Sequence, residues 1–187
     1  MSSRFDFLPT PLAALSVIRR RPYEDARGSF ARLFCAEEFR EIGLSKPISQ
    51  INHSITRQKG AVRGLHFQYA PHAETKIVSC LKGKIFDVAV DLRPDSPTFL
   101  HWHGEVLSAD NQQALCIPEG FAHGFQTLEE DSELLYFHTD YYAPTAEGAL
   151  NVADPRLGIA WPLPITELSE RDRTHPFIGL EFAGVRL

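Results

Sequence analysis

The chain has 187 residues, 43% of them apolar and 23% charged, which suits one globular unit burying roughly 70% of its unfolded surface. Its net charge of −5 disfavours sequence-independent binding to nucleic acid, and no apolar run approaches the roughly 18 residues of a membrane span. The three cysteines, Cys35, Cys80 and Cys116, include no CxxC pair, and the N-terminus has no basic-then-apolar leader, so buried thiols in a cytoplasmic chain are expected.

Thirteen prolines and twelve glycines, spread throughout, favour short elements joined by turns. Residues 14–20 (ALSVIRR) read as a strand, 22–28 as a turn and 30–35 (FARLFC) as a second strand. Residues 36–42 (AEEFREI) form the clearest helix, stopped by Gly43. Further strands are expected at 49–55, 61–68, 76–81, 84–92, 100–107, 113–117, 124–128 and 133–139. Strands at about this spacing, punctuated by turns, argue for an all-β sandwich or barrel. After Tyr141 the chain becomes proline-rich and irregular, with a helical turn over 168–173 capped by Ser169. The expected organisation is one domain over 1–187 with an irregular wrap over 143–187.

Two stretches carry chemistry. In 61–83 (AVRGLHFQYAPHAETKIVSCLKG), Arg63, His66, His72 and Lys76 fall inside an otherwise apolar, strand-like segment, and ionisable groups there need partners or a purpose. Strand alternation puts Gly64, His66 and Gln68 on one face and Arg63, Leu65 and Phe67 on the other. The second stretch, 116–125 (CIPEGFAHGF), has the Pro-x-Gly-x-x-His pattern of a second cupin signature, with His123 pointing inward. The first cupin signature normally supplies His-x-His and then Glu to a metal; here it offers His66-x-Gln68, Glu74 and Lys76. A lysine and a glutamine at those places are unfavourable for a divalent cation. A site of His66, His72 and His123 can be drawn, but a metal-free pocket fits better. Such a pocket suits proton transfer: a histidine base, a carboxylate such as Asp172 to orient it, a tyrosine acid such as Tyr136, and Lys76 for an oxyanion. Of the other histidines, His72 reads as a rim residue, His101 and His103 as an outer-face pair around Trp102, and His138 and His175 as surface residues. His53 could line the pocket or cap it. Asp87 and Asp91 are expected to pair with Arg93 or nearby backbone.

The ordered motifs DARGSF, QINHS, GAVRGLHFQ, KGKIFDVAVDLRPDSPTF, LSADN, IPEGFAHGF, TDYYAP, ADPRLGIAWP and LSERD together resemble the dTDP-4-dehydrorhamnose 3,5-epimerases, nucleotide-sugar cupins of deoxysugar biosynthesis. The resemblance implies a cupin-type double-stranded β-helix (jelly-roll) barrel with a few short peripheral helices and a cofactor-free, metal-free mechanism. It implies His66 as base with Asp172 as its partner, Lys76 as enolate stabiliser and Tyr136 as the acid on the opposite face. Arg27, Gln50, Asn52, Arg63 and His123 match positions that hold the diphosphate or sugar. Tyr142 matches the aromatic that stacks on the nucleobase, and Glu147 a further substrate contact. It also implies a homodimer in which residues 14–35, with Arg27, reach a neighbouring subunit's site.

Two positions depart from the family pattern. Arg32 stands where members carry a glutamate that helps bind the nucleotide, and Arg171 replaces a lysine in the LSxKD motif. Exchanging acid for base inverts the hydrogen-bonding pattern. The resemblance implies as substrate a nucleotide-diphosphate 4-keto-6-deoxysugar of the dTDP-4-dehydro-6-deoxyglucose type, inverted at C3, C5 or both. The alternatives are an epimerase of one centre on a GDP- or CDP-linked sugar, a non-catalytic sugar-nucleotide binder, and a metal-dependent cupin.

Overall fold

The structure is a computed structural model that describes residues 3–187. Thirteen strands appear in chain order: β1 Phe5–Pro9, β2 Ser16–Arg20, β3 Tyr23–Asp25, β4 Gly28–Phe30, β5 Gln50–Thr56, β6 Val62–Gln68, β7 Lys76–Lys82, β8 Lys84–Asp91, β9 Trp102–Ser108, β10 Gln113–Ile117, β11 Phe121–Thr127, β12 Ser132–His138 and β13 Glu147–Ala149. A six-stranded sheet runs β1-β2-β10-β7-β12-β5 and a five-stranded sheet β13-β6-β11-β8-β9, while β3 and β4 form a separate hairpin. One short helix, α1 (Glu170–Arg173), follows the Ser169 cap, whose hydroxyl accepts from the Asp172 amide.

Alternation along the strands builds three apolar layers. Val17, Val78, Leu115 and Leu134 from one sheet meet Ile85, Ala89, Leu107 and Phe125 from the other inside the barrel. On the outer face of the six-stranded sheet, Ile18, Ile77, Ala114 and Phe137 lie under Phe39 and Leu44, with Phe34 packed against them. On the outer face of the five-stranded sheet, Val62, Leu65, Phe67, Val88 and Ala122 lie under Leu150, Val152, Leu157 and Val185. The proline-rich C-terminal segment is thus a cover for apolar surface, and packing places it despite its lack of regular structure.

Several local expectations change. The strand expected from residue 14 begins at Ser16, because Ala14 takes a left-handed turn at φ 71°. Residues 31–35 are not a strand: β4 ends at Phe30, and Leu33, Phe34 and Cys35 all pack against one layer, which strand alternation forbids. The expected α-helix is a tighter 3-10 segment over Glu38–Ile42, ended by Gly43 at φ 82°. Strands β1, β3 and β13 lie outside the expected set, and β3 occupies part of the turn expected over 22–28.

The largest change is within β6. Its pairing with β11 shifts register between His123↔His66 and Phe125↔Arg63, and this bulge reverses the alternation at Gly64. Val62, Leu65 and Phe67 consequently share the covered outer layer, while Arg63 and His66 both line the cleft. The expected separation of Arg63 from His66 is overturned. Only glycine fits the crossing, since Gly64 has φ +120° and an added Cβ would stand 2.6 Å from Gly124 Cα and 2.7 Å from the His123 carbonyl oxygen.

Candidate active site

An open cleft of about 1070 Å³ enters the barrel between the two sheets, and its lining includes Asn52, Arg63, His66, Lys76, His123, Tyr136, Arg171 and Asp172. Strand β6 supplies Arg63 and His66, β7 supplies Lys76, and β12 supplies Tyr136. Helix α1 returns over the mouth and brings Asp172 to His66, which is 106 residues away in sequence.

His66 Nε2 lies 2.7 Å from Asp172 Oδ1. A carboxylate only accepts, so this nitrogen carries the proton and the other ring nitrogen is left unprotonated in the neutral ring. Arg171 Nη2 also approaches His66 Nε2, at 3.3 Å, but a nitrogen that donates to Asp172 cannot accept there. Arg171 is instead forked on Glu147, at 2.8 and 3.0 Å. Asp172 is buried, and burial alone would raise its carboxyl; the bond and charge of His66, with the Gly64 N–H, outweigh burial and hold it below its ordinary range.

Tyr136 faces His66 from the other sheet, with its hydroxyl 3.2 Å from Ser54 Oγ. Burial pushes that hydroxyl well above the ordinary phenol value, and the Ser54 bond only partly offsets the shift, so the group keeps its proton through the neutral range. Lys76 is held by Glu74 at 3.2 Å and by the His66 carbonyl at 3.5 Å. His123 Nε2 bonds the fully buried Asp87 at 2.7 Å, and Arg63 Nε donates to Thr56 at 3.0 Å. A base with its carboxylate, a protonated phenol and an ammonium therefore face one space, which is the equipment for moving a proton beside a carbonyl.

The remaining sites expected from sequence divide into two groups. Gln50, Tyr142 and Glu147 form a rim: the Gln50 amide bonds Asn52 at 3.0 Å and accepts from the Tyr142 N–H at 3.2 Å, and the Tyr142 hydroxyl donates to Glu147 at 3.0 Å. Arg27 and Arg32 are elsewhere. Arg27 pairs with Asp25 on the β3–β4 hairpin and Arg32 with Glu38 at 2.6 Å, and neither lines the cleft of its own chain.

Some readings of the sequence need correction. His138 is no surface residue: it shares the inward face of β12 with Tyr136, lines the cleft and bonds Glu74 at 2.7 Å. His175 lies inside the C-terminal cover, its Nε2 buried and 4.0 Å from Asp172 Oδ1. Asp87 pairs with His123 and leaves Arg93 to Asp91. His101 precedes β9, and His103 shares the inward parity of Leu107 beside Glu105, so the two make no outer-face pair. His53 lines the cleft and pairs with Glu133 at 3.3 Å. Period-two spacing could have found His138, two residues from Tyr136, and Glu74, two from Lys76; nothing in the local pattern marks Asp87 as the partner of His123.

The donor set also bears on metal. His72 and His123 are engaged by Asp140 at 3.6 Å and Asp87 at 2.7 Å, not by a shared centre. Donor atoms of His66, Asp172 and His175 lie within 4.8 Å of one another. The Arg171 guanidinium, 3.3 Å from His66 Nε2, brings positive charge to that spot, and the set fits a divalent cation poorly. Gln68, at a usual ligand position, bonds the His72 and Tyr141 carbonyls and the Ala143 N–H, clamping the rim loop.

Two inward-facing sheets with the His66 and His123 signatures at one open end define a cupin barrel. The model of the dTDP-4-dehydrorhamnose 3,5-epimerase family matches residues 9–179. The chain is 46% identical over 169 residues to the Pseudomonas aeruginosa enzyme of that name, covering 88% of this chain and 92% of the relative. It is 43% identical over 173 residues to the one from Salmonella typhimurium, covering 91% and 94%. Among solved structures, the Legionella pneumophila 3,5-epimerase in complex with dTDP-4-keto-L-rhamnose superposes with a TM-score of 0.88 at 39% identity, covering 92% of each chain. The chain belongs to the dTDP-4-dehydrorhamnose 3,5-epimerase family.

Proposed function

We propose that this protein inverts C3 and C5 of dTDP-4-dehydro-6-deoxyglucose, giving dTDP-4-dehydrorhamnose, by proton abstraction and return without a cofactor. The C4 ketone of such a sugar acidifies the hydrogens at both neighbouring carbons. The unprotonated nitrogen of His66 takes the proton, Asp172 steadies the imidazolium that forms, and Lys76 offsets the charge on the enolate oxygen. Tyr136 returns a proton to the opposite face, which inverts the centre. Gln50, Asn52, Arg63, His123, Tyr142, Glu147 and Arg171 hold the nucleotide and sugar along the cleft and its rim. The observation that carries this reading is the 2.7 Å His66–Asp172 pair in one cleft with Tyr136 and Lys76. The test is deuterium incorporation from solvent at C3 and C5 of the dTDP-linked ketosugar, followed by NMR. Exchange at both centres that His66→Ala abolishes is expected; wild-type protein that exchanges neither overturns the reading.

The working unit proposed is a cytoplasmic homodimer. Three-residue strands cannot hold a hairpin in water, yet β3–β4 exposes Tyr23 at 59% and Phe30 at 74%. Docking on a second copy would cover these rings and carry Arg27 and Arg32 toward that copy's nucleotide. Light scattering on purified protein should give twice the 21.0 kDa chain mass; a monomer at micromolar concentration rules the arrangement out. The three free cysteines suit a reducing compartment, and among the described residues no helix is long and apolar enough to cross a membrane.

A further inference from the structure

The proposed mechanism leaves unexplained the buried pair of His138 and Glu74 in the cleft. His138 pairs directly with Lys76 across the β12–β7 ladder, so their side chains emerge side by side on the inward face. Between them stands Glu74, whose two oxygens are divided: Oε2 takes His138 Nδ1 at 2.7 Å, and Oε1 takes Lys76 Nζ at 3.2 Å. The three side chains are only 12%, 8% and 11% exposed for His138, Glu74 and Lys76. Burial opposes charge on Glu74, but its bond to His138 and the charge of Lys76 prevail and keep it ionised.

We propose that Glu74 and His138 are positioning residues for Lys76, a role that rests on the epimerase reading. A buried carboxylate with both oxygens free can draw a neighbouring ammonium wholly to itself. Here His138 occupies one oxygen, and Lys76 is left with a single oxygen of Glu74 and the His66 carbonyl at 3.5 Å. An ammonium has three donors; two are placed by these contacts, and the third remains for an oxygen in the cleft that becomes negative as the proton leaves carbon. The arrangement fixes the donor before substrate arrives, which is how an oxyanion site gains its effect. The Nδ1 bond also dictates the state of the His138 ring: when neutral it carries its proton on Nδ1, with Nε2 bare and 3.4 Å from Asn52 Nδ2.

The test takes wild type, His138→Leu and His138→Asn in the full chain, with steady-state kinetics on the dTDP-ketosugar. Asparagine can still donate to Glu74 from about the place of Nδ1, whereas leucine cannot. His138→Leu should lower kcat about tenfold, part of the loss expected for an oxyanion donor, with KM changed less than about threefold, and His138→Asn should recover most of that loss. Equal kcat in all three proteins, or a change confined to KM, overturns the assignment. Absence of exchange in wild type would sink the epimerase reading instead, so the two failures are distinguishable. Nitrogen-15 spectra of the histidine rings in wild type decide independently of any variant's folding: a neutral His138 ring protonated on Nε2 overturns the assignment, and one protonated on Nδ1 upholds it.

Discussion

The carboxyl of Asp172 is pulled two ways, by burial toward protonation and by His66 and the Gly64 N–H toward ionisation, and ionisation wins. Its folded-state pKa therefore lies below the unfolded one. The stability this contributes is complete above an unfolded value of about 4 and disappears as pH falls through the lowered folded value. Urea unfolding of wild type and Asp172→Asn should differ most between pH 5 and 7 and converge at the acid end; curves that stay parallel throughout would deny the linkage. The same substitution takes away the charge that steadies the His66 imidazolium and puts an amide N–H donor beside the ring, and kcat should fall by about 10² or more, the range of a general base lost or misoriented. At this scale the sequence was partly legible. His66 and His123 lie in recognisable motifs and Lys76 and Tyr136 in legible strands, but the partners that tune Lys76, His123 and Tyr136, namely Glu74, Asp87 and Ser54, are ordinary polar residues whose importance depends on which strand the sheet sets beside them.

Strand β6 holds an apolar face under the C-terminal cover and a polar face in the cleft, and it changes phase at Gly64 to serve both. Period-two reading located the strand but assigned Arg63 to the wrong side, because a bulge arises from the pairing partner β11 and leaves no mark in alternation beyond the glycine itself. Gly64→Ala should cost roughly 2–4 kcal/mol through backbone strain and the clash with Gly124 and His123. Gly158→Ala is the control: its φ is +58° with nothing nearer than 3.9 Å, so the left-handed conformation alone should cost roughly 1–2 kcal/mol. Chemical denaturation of both variants tests the ranking, and equal midpoints would remove the close approach as the cause. Residues 31–35 misled for the opposite reason: a run resembling a strand is irregular chain that lays Leu33, Phe34 and Cys35 on an outer layer, where burial replaces alternation.

Across the whole molecule the chain is a barrel clad on both sides, and its cysteines report the layers. Cys80 lies in the barrel interior and Cys116 in the outer layer of the six-stranded sheet. Burial pushes their thiols up to about 11 and about 12, which leaves almost no thiolate at neutral pH. Cys35 is only partly buried. Under native conditions an alkylating reagent should modify Cys35 alone, and all three in urea; native labelling of Cys116 would mean that the cladding opens. The barrel class was legible from turn spacing and the two His-bearing stretches. The cladding was not, since segments without period-two or helical patterning reveal where they lie only through the surfaces they cover.

The C-terminal cover has a further consequence, in time instead of space. Every barrel strand except β13 ends by His138, whereas Asp172, which bonds His66 across a separation of 106 residues, is made later still. A nascent chain can thus pair most of its sheets while its central histidine still lacks a partner. On the proposed mechanism, chemical competence comes only with a four-residue helix synthesised after the barrel strands.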